Sequence, residues 1–340
     1  MHREIEVEIM TDATGNTLIA PSHMASAEQH ILGVLTSNPT VSIVIPSFNQ
    51  GRYIRATIDS ILNQEYRPLQ VIVIDGGSAD ETIEVLRSYG SVPELEWISE
   101  CDSGVVEAVN KGFARVRGDI VAIQSSDDCY RPGAICAAVT EFERDWQLGL
   151  LYGDTVKIDE NGQEVARHTI APFSLLNLFR IRTWIPQPSA FFRRELLDEL
   201  GGWDDRIPYA PDTDLWIRMA FRTRVKKLDV FLSQRRIHGK QRDTQAAQIT
   251  RDYAKMIDQS SDIANAPRPI RMAAAAGKHL MRFRYGAHKS DWYRACCLLR
   301  AGLCDPDCLN MRVIVAHLCW LPLRRRMSQL KRILGFHASK

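Results

Sequence analysis

The chain has no excess of either charge. Its 43 Lys and Arg against 41 Asp and Glu leave a formal net charge of +2, so composition makes no case for a nucleic-acid partner. It also lacks a long apolar run. A spanning helix needs ~20 consecutive apolar residues, and the longest candidate, 313–323, contains His317 and Pro322. Its eight cysteines follow no secreted disulfide framework. With no signal peptide at the N-terminus, reduced thiols in a cytosolic setting are expected. The late group Cys296, Cys297, Cys304, Cys308, His317 and Cys319 matches no paired-cysteine zinc spacing, and cysteines on helices read as core residues. Two nucleotide fingerprints are missing as well. Neither G-x-G-x-x-G nor G-x-x-x-x-G-K-[ST] follows the first strong strand, which removes the main support for a dinucleotide site or a P-loop.

What is present is an alternation of strand and helix. The 340 residues suffice for one large domain or two smaller ones. A weak strand at 5–9, a turn at 12–16 and a helix over 22–35 form a lead-in (residues 1–40) without evident chemistry. From 41 the pattern strengthens. Strands are predicted at 41–45, 69–74, 95–98 and 120–123, with helices between them at 53–62, 79–89 and 105–116. Four such units at short spacing predict a mostly parallel, doubly wound sheet. After Pro132 the alternation loosens. Strands are expected at 148–152 and 155–158, a hairpin turn at Asn161-Gly162, helices at 134–143, 173–180 and 193–200, a helix from Leu215, and a last strand at 225–232.

Each of the four strands ends in a polar cluster. They are Pro46-Ser-Phe-Asn49, Asp75-Gly-Gly-Ser78, Glu100-Cys-Asp-Ser-Gly104 and Ser125-Ser126-Asp127-Asp128. Right-handed crossovers place all four on one edge of the sheet, where ligands bind in open α/β folds. Adjacent carboxylates at such an edge suit a hard divalent cation, Mg2+ or Mn2+, that also takes oxygens from a substrate phosphate. Taken alone, Asp127 and Asp128 read first as solvated loop acids or a helix cap; the polar clusters at the other strand ends reverse that preference.

The ordered set of motifs resembles the inverting GT-A glycosyltransferases of family 2. The resemblance runs over about 41–244: Val41-Ser-Ile-Val-Ile-Pro-Ser-Phe-Asn49, Val73-Ile-Asp-Gly-Gly-Ser-Ala-Asp80, Glu100-x-Asp-Ser-Gly104 with Asn110-Lys-Gly112, Ser126-Asp-Asp128, Gly201-Gly-Trp-Asp204 and Asp212-Thr-Asp-Leu-Trp-Ile-Arg218. It implies a GT-A α/β domain followed by a helical C-terminal extension (245–340), and a nucleotide-sugar donor, a UDP-sugar first. Pro46, Ser47, Asn49 and Asp75 would cradle base and ribose. Asp102 would lie near the uracil or diphosphate, and Lys111 nearby. Asp127 would face the donor sugar or ribose, and Asp128 would take the divalent metal, with His238 a further metal or phosphate contact. Asp212 matches the catalytic base, although Pro211 stands where the family usually has an acid; Asp214 is the fallback. Helix capping is the bland reading for Asp102, Asp212 and Asp214, and helix surface for Asn110 and Lys111. Gln187 is a donor or acceptor contact by position.

These expectations make the chain an enzyme that moves a sugar to a hydroxyl of a carbohydrate or lipid-linked acceptor, in surface polysaccharide or glycolipid assembly. The alternative is a non-catalytic nucleotide- or carbohydrate-binding protein of the same fold. Near the C-terminus Leu323, Met327, Leu330 and Leu334 share a helical face, flanked by Arg324, Arg325, Lys331 and Arg332. A basic amphipathic helix there suits an anionic surface and would place the protein peripherally at the inner face of the membrane. Packing on its own domain explains the pattern equally.

Overall fold

The computed structural model describes residues 9–11, 17–19, 32–35, 37–239, 245–286 and 289–308. A small antiparallel hairpin comes first, β1 (Ile9–Thr11) with β2 (Thr17–Ile19). Residues 32–35 are not helical; the rest of the helix expected over 22–35 lies outside the described residues. Leu32 is buried in the main core, and the Gly33 N–H donates to Glu195. The end of the lead-in is therefore part of the folded domain.

The main sheet opens with β3 (Val41–Ser47), α1 (Gly51–Leu62), β4 (Leu69–Asp75), α2 (Thr82–Ser88), β5 (Leu95–Ser99), α3 (Val105–Phe113) and β6 (Ile120–Ile123). β3 lies parallel to both β4 and β6, and β4 parallel to β5. The order β5-β4-β3-β6 reverses direction at β3, so the carboxyl ends of β3 and β6 flank a switch-point crevice. These strands are apolar on both faces because both faces are covered. Ile43, Ile45, Val71 and Val73 pack with Ile54 and Ile58 of α1. Val44, Ile72, Val121 and Ile123 pack with Val109 and Phe113 of α3.

The second half is mixed. It comprises β7 (Cys129–Tyr130), α4 (Ala134–Arg144), β8 (Leu148–Ile158), β9 (Glu164–His168), α5 (Leu175–Phe179), β10 (Ala190–Arg193), α6 (Arg194–Leu200), α7 (Pro211–Ala220) and β11 (Arg224–Arg236). β10 runs antiparallel between β6 and β8, while β11 is parallel to β8 and antiparallel to β7. The second half differs from the sequence expectation in several places; β11 runs on to Arg236, past the 232 expected, and β9 was not expected. The strands expected at 148–152 and 155–158 are one strand, β8. Gly153 does not end it; a Cβ there would lie 2.6 Å from the Val230 carbonyl oxygen, so the glycine admits a close approach by β11. Helix α7 starts at Pro211, where a missing N–H costs nothing, and so takes Asp212 into its first turn.

The chain continues as α8 (Ala246–Gln259), α9 (Ser261–Asn265), α10 (Arg268–Tyr285) and α11 (Asp291–Cys304). Tyr253, Met256 and Ile257 of α8 and Ala273 of α10 share a core with Phe179 of α5 and Ile217 of α7. Arg180 and Asp305, both mostly buried, pair at 2.7 Å. These helices are thus fused to the sheet domain. Among the described residues no helix is long and apolar enough to cross a membrane. The basic amphipathic segment after 309, with His317 and Cys319, lies outside the described residues.

Candidate active site

The strand-end clusters converge on one cleft of about 1710 Å3. That exceeds the ~300–1,000 Å3 of an ordinary small-molecule site, leaving room for two substrates. Eight of the residues singled out in the sequence line it: Pro46, Ser47, Asp102, Lys111, Asp127, Asp128, Asp212 and His238. Gln187 and Asn110 line it too.

Asp127 and Asp128 sit in a turn after β6, closed by the Asp128 N–H donating to the Ser125 carbonyl. Two other elements fix this turn. From α1, the Thr57 hydroxyl donates to the Asp128 carbonyl at 2.7 Å. From the end of β11, the Arg236 N–H donates to Asp128 Oδ1 at 2.8 Å, and the Arg236 guanidinium donates to the Asp127 carbonyl at 2.9 Å. His238 Nε2 lies 2.8 Å from Asp127 Oδ2, and its ring sits 5.3 Å from that of Tyr53. Burial, and then the neighbouring Asp127 carboxylate, push the Asp128 carboxyl well above the usual carboxylate range.

Two like charges held side by side in a buried turn are a place for a cation. Among the described residues no three acid, His or Cys side chains converge into a preformed metal cage. Mg2+ and Mn2+ do not require one when a substrate phosphate supplies the remaining oxygens. The donor set of Asp128 and Asp127, with His238 beside them, fits such an ion.

On the β3 side, the Ser47 hydroxyl is buried without a hydrogen-bond partner, and Phe48 is exposed at the cleft. Asp102 reaches in from the loop after β5. Burial raises its pKa against the opposing Gly104 N–H. Gly76 makes room for it, since a Cβ there would lie 2.8 Å from Asp102 Oδ2. Lys111 pairs with Glu100 at 2.9 Å and Glu107 at 2.8 Å. Its ammonium reaches the cleft already bridged by two acids.

Asp212 occupies the first turn of α7, where the Thr213 N–H donates to Oδ1 at 2.8 Å. Asp214 is placed differently. It pairs with Arg218 at 2.7 Å, and Arg218 also donates to the Leu200 and Gly202 carbonyls. Asp214 is not among the residues that line the cleft; through Arg218 it anchors the α6–α7 loop. Burial raises its pKa, and the Arg218 charge opposes that shift.

Asp75 and Asn49 are engaged in the turns that follow β4 and β3. Asp75 is fully buried and accepts from the Gly77 and Ser78 N–H groups and from the Ser78 and Ser99 hydroxyls. Its carboxylate holds the β4 turn and does not line the cleft. Asn49, with φ 52°, accepts from the Ala79 N–H at 2.9 Å. It ties the β3 loop to the β4 loop and likewise stands outside the lining. Asn110 clamps Trp203, accepting from its N–H at 2.8 Å and donating to its carbonyl at 2.9 Å.

Several cleft residues were not singled out by the sequence reading: Phe48, Lys157, His168, Trp184, Arg235 and Arg284. Lys157 had one available signal, its place two residues after Thr155 on a strand; the others had none.

Known proteins resemble the chain as follows. The family model described as Glycosyl transferase family 2 matches residues 42–201. A protein of Mycobacterium tuberculosis (strain ATCC 25618 / H37Rv) described as an uncharacterized glycosyltransferase is 33% identical over 190 residues, covering 55% of this chain and 71% of that protein. The chondroitin synthase of Pasteurella multocida (strain Pm70) is 28% identical over 214 residues, covering 59% of this chain. That match spans 21% of the synthase, so the chain corresponds to about a fifth of it. Among solved structures, S. aureus TarS 1-349 in complex with UDP-GlcNAc has a TM-score of 0.57 at 15% identity, covering 79% of this chain and 89% of that one. The mannosyltransferase PcManGT from Pyrobaculum calidifontis, in complex with GDP-Man and Mn2+, has a TM-score of 0.57 at 20% identity, covering 92% of each. At these identities the structural likeness shows the fold, GT-A with its mostly parallel central sheet.

Proposed function

The chain belongs to glycosyltransferase family 2, and from that premise we propose that it is a metal-dependent, inverting enzyme transferring a sugar from a nucleoside diphosphate to an acceptor hydroxyl. One observation carries the reading: the Asp127–Asp128 pair and Asp212, from the turn after β6 and the start of α7, line a single cleft large enough for two substrates. Structures of the same fold bound to UDP-GlcNAc and to GDP-Man with Mn2+ support a nucleotide-sugar donor and a divalent ion.

In this account the β3 loop receives the nucleoside. Phe48 offers an aromatic face to the base, and the Ser47 hydroxyl gains the partner it lacks. Asp128 and Asp127 would hold Mn2+ or Mg2+, and that ion when bound would supply Lewis-acid stabilisation of the leaving diphosphate. Asp212 accepts the proton of the acceptor hydroxyl as its oxygen bonds to the anomeric carbon. Attack opposite the leaving group inverts that carbon. A retaining hydrolase would instead need two carboxyls ~5 Å apart flanking the bond.

The acceptor is a carbohydrate or a lipid-linked saccharide, and the surroundings of the reaction are the cytosol or the inner membrane face. The test is incubation with a panel of nucleotide sugars and saccharide acceptors, with Mn2+ or chelator, followed by NMR of the product. Metal-dependent transfer with inverted anomeric configuration is expected. A retained configuration would overturn the inverting mechanism, and nucleoside diphosphate binding without any transfer would favour a binding protein.

A further inference from the structure

Among the large apolar side chains left exposed in the described residues, Trp292, Tyr293, Leu299 and Leu303 all belong to one helix, α11. Steps of seven and four residues are about two turns and one turn of helix, so Trp292, Leu299 and Leu303 stand in a single stripe. They are 74%, 55% and 85% exposed. The other side of α11 is already covered. Ala301 shares a small core with Ala276 and Leu280 of α10, and Cys297 and Leu298 are buried. Apolar residues scattered singly over a surface need no explanation. A second apolar stripe, on a helix whose first is buried, does.

Charge marks the same element. From the start of α10 to the end of α11 (268–304) the chain carries eight Lys and Arg and one acid, Asp291. The whole chain, by contrast, nearly balances 43 basic residues with 41 acidic ones. Among the described residues one of the eight, Lys278, is in an ion pair with an acid, Asp258. Two of the others border the stripe and are exposed. Arg300 follows Leu299, and Lys289 stands three residues before Trp292, in the turn that leads into α11.

Apolar stripe and charge together choose the partner. Trp and Leu beside Lys and Arg is the composition of helices that lie in a lipid–water interface. Trp and Tyr settle there at headgroup level, and the cations meet anionic headgroups. A second copy of the chain fits less well, because a two-fold contact would bring the same basic surface against itself. A nucleic acid would match the charge and leave Leu299 and Leu303 without an apolar partner.

Position ties this face to the cleft. Met281, Arg284 and Tyr285 of α10 line the cleft, and no residue of α11 does. The pair of helices is a cleft wall on its α10 side and an exposed apolar surface on α11. We propose that α11 docks on an anionic lipid surface, with Trp292, Leu299 and Leu303 in the interface and Lys289 and Arg300 on the headgroups. The inference does not rest on the transferase reading. Joined to it, docking selects a lipid-linked acceptor over a free saccharide.

The experiment uses the full chain and flotation with vesicles of phosphatidylcholine alone or mixed with phosphatidylglycerol. Variants are Trp292→Ser, Leu303→Glu and Arg300→Glu, with Trp146→Ser, another exposed tryptophan, as the control. Thermal midpoints are measured without vesicles. Expected is binding to the mixed vesicles, weakened ~10-fold or more by each α11 substitution and unchanged by Trp146→Ser. Binding to phosphatidylcholine alone should be weaker, and the midpoints should stay at the wild-type value. The assignment is overturned if the wild type binds no vesicles. It is overturned if the α11 variants bind as the wild type does, which would move the contact to another segment, such as the basic one after 309. A midpoint lowered by Leu303→Glu would also overturn it, by making the stripe a packing surface for the chain itself. So would a dimer in sedimentation that the same substitution dissociates. Vesicle binding without any sugar transfer would keep this assignment and remove the transferase reading.

Discussion

His238 Nε2 lies 2.8 Å from Asp127 Oδ2, and two residues earlier the Arg236 N–H holds Asp128 Oδ1 at the same distance. One strand end thus grips both carboxylates of the turn after β6. Tyr53 braces that grip, with the Arg236 guanidinium 4.9 Å from its ring centre and the His238 ring on it too. Groups that orient metal-binding carboxylates contribute roughly 10–100-fold to metal affinity. His238→Ala should therefore weaken Mn2+ dependence by about that factor with little change in thermal midpoint. An unchanged Mn2+ titration would limit His238 to packing.

The two acids of α7 should separate cleanly. Asp212→Asn should lower kcat by roughly 10²–10⁴-fold, the range for loss of a general base, while leaving donor binding and stability close to wild type. Asp214→Ala strips Arg218 of its carboxylate partner in a mostly buried loop. It should cost about 1–3 kcal/mol of stability and leave kcat within a few-fold. Steady-state kinetics beside thermal unfolding read both, and the reverse pattern would make Asp214 the base.

Asp75 should behave as a structural residue. Asp75→Ala leaves two N–H groups and two hydroxyls without their carboxylate; these donors are half-buried or exposed and water meets them in part, so the cost is about 1–3 kcal/mol in all. A fall in the unfolding midpoint is expected, with donor KM changing only through the loosened turn. A stable variant with a specific rise in donor KM would place Asp75 in contact with the nucleotide after all.

Helix α3 packs on β3 through Gly112, where a Cβ would lie 2.3 Å from Val44 Cγ1. The nearest atom is a branched side chain in the core, which has little room to move. Gly112→Ala should destabilise the fold by about 1–3 kcal/mol, read by denaturant unfolding. A neutral effect would show that α3 can shift outward.

How much of this was legible in the sequence follows from which physics each feature obeys. The four parallel strands and their helices were, because two-sided burial writes apolar runs and helical spacing into the residues. The edge on which the polar clusters meet was, because crossover handedness decides it. The length of β11 was not: Arg235 and Arg236 look like a loop, yet both continue the pairing with β8. The hydrogen-bond partners of Asp75, Asn49 and Asp214 were not legible either, since an acid or amide at a strand end or helix start reads alike whether it faces a ligand or its own turn. Only the hydrogen-bond accounting separates them.

The central claim is that the carboxylate turn after β6 holds a divalent ion for a nucleoside diphosphate. Calorimetric titration of UDP and GDP, with Mn2+ and with chelator, into wild type and Asp128→Asn tests it most directly. The account predicts binding of one of the two nucleotides by the wild type, dependent on Mn2+, and weakened ~10-fold or more in the variant. Binding that is equally tight in chelator, or unaffected by Asp128→Asn, would contradict it.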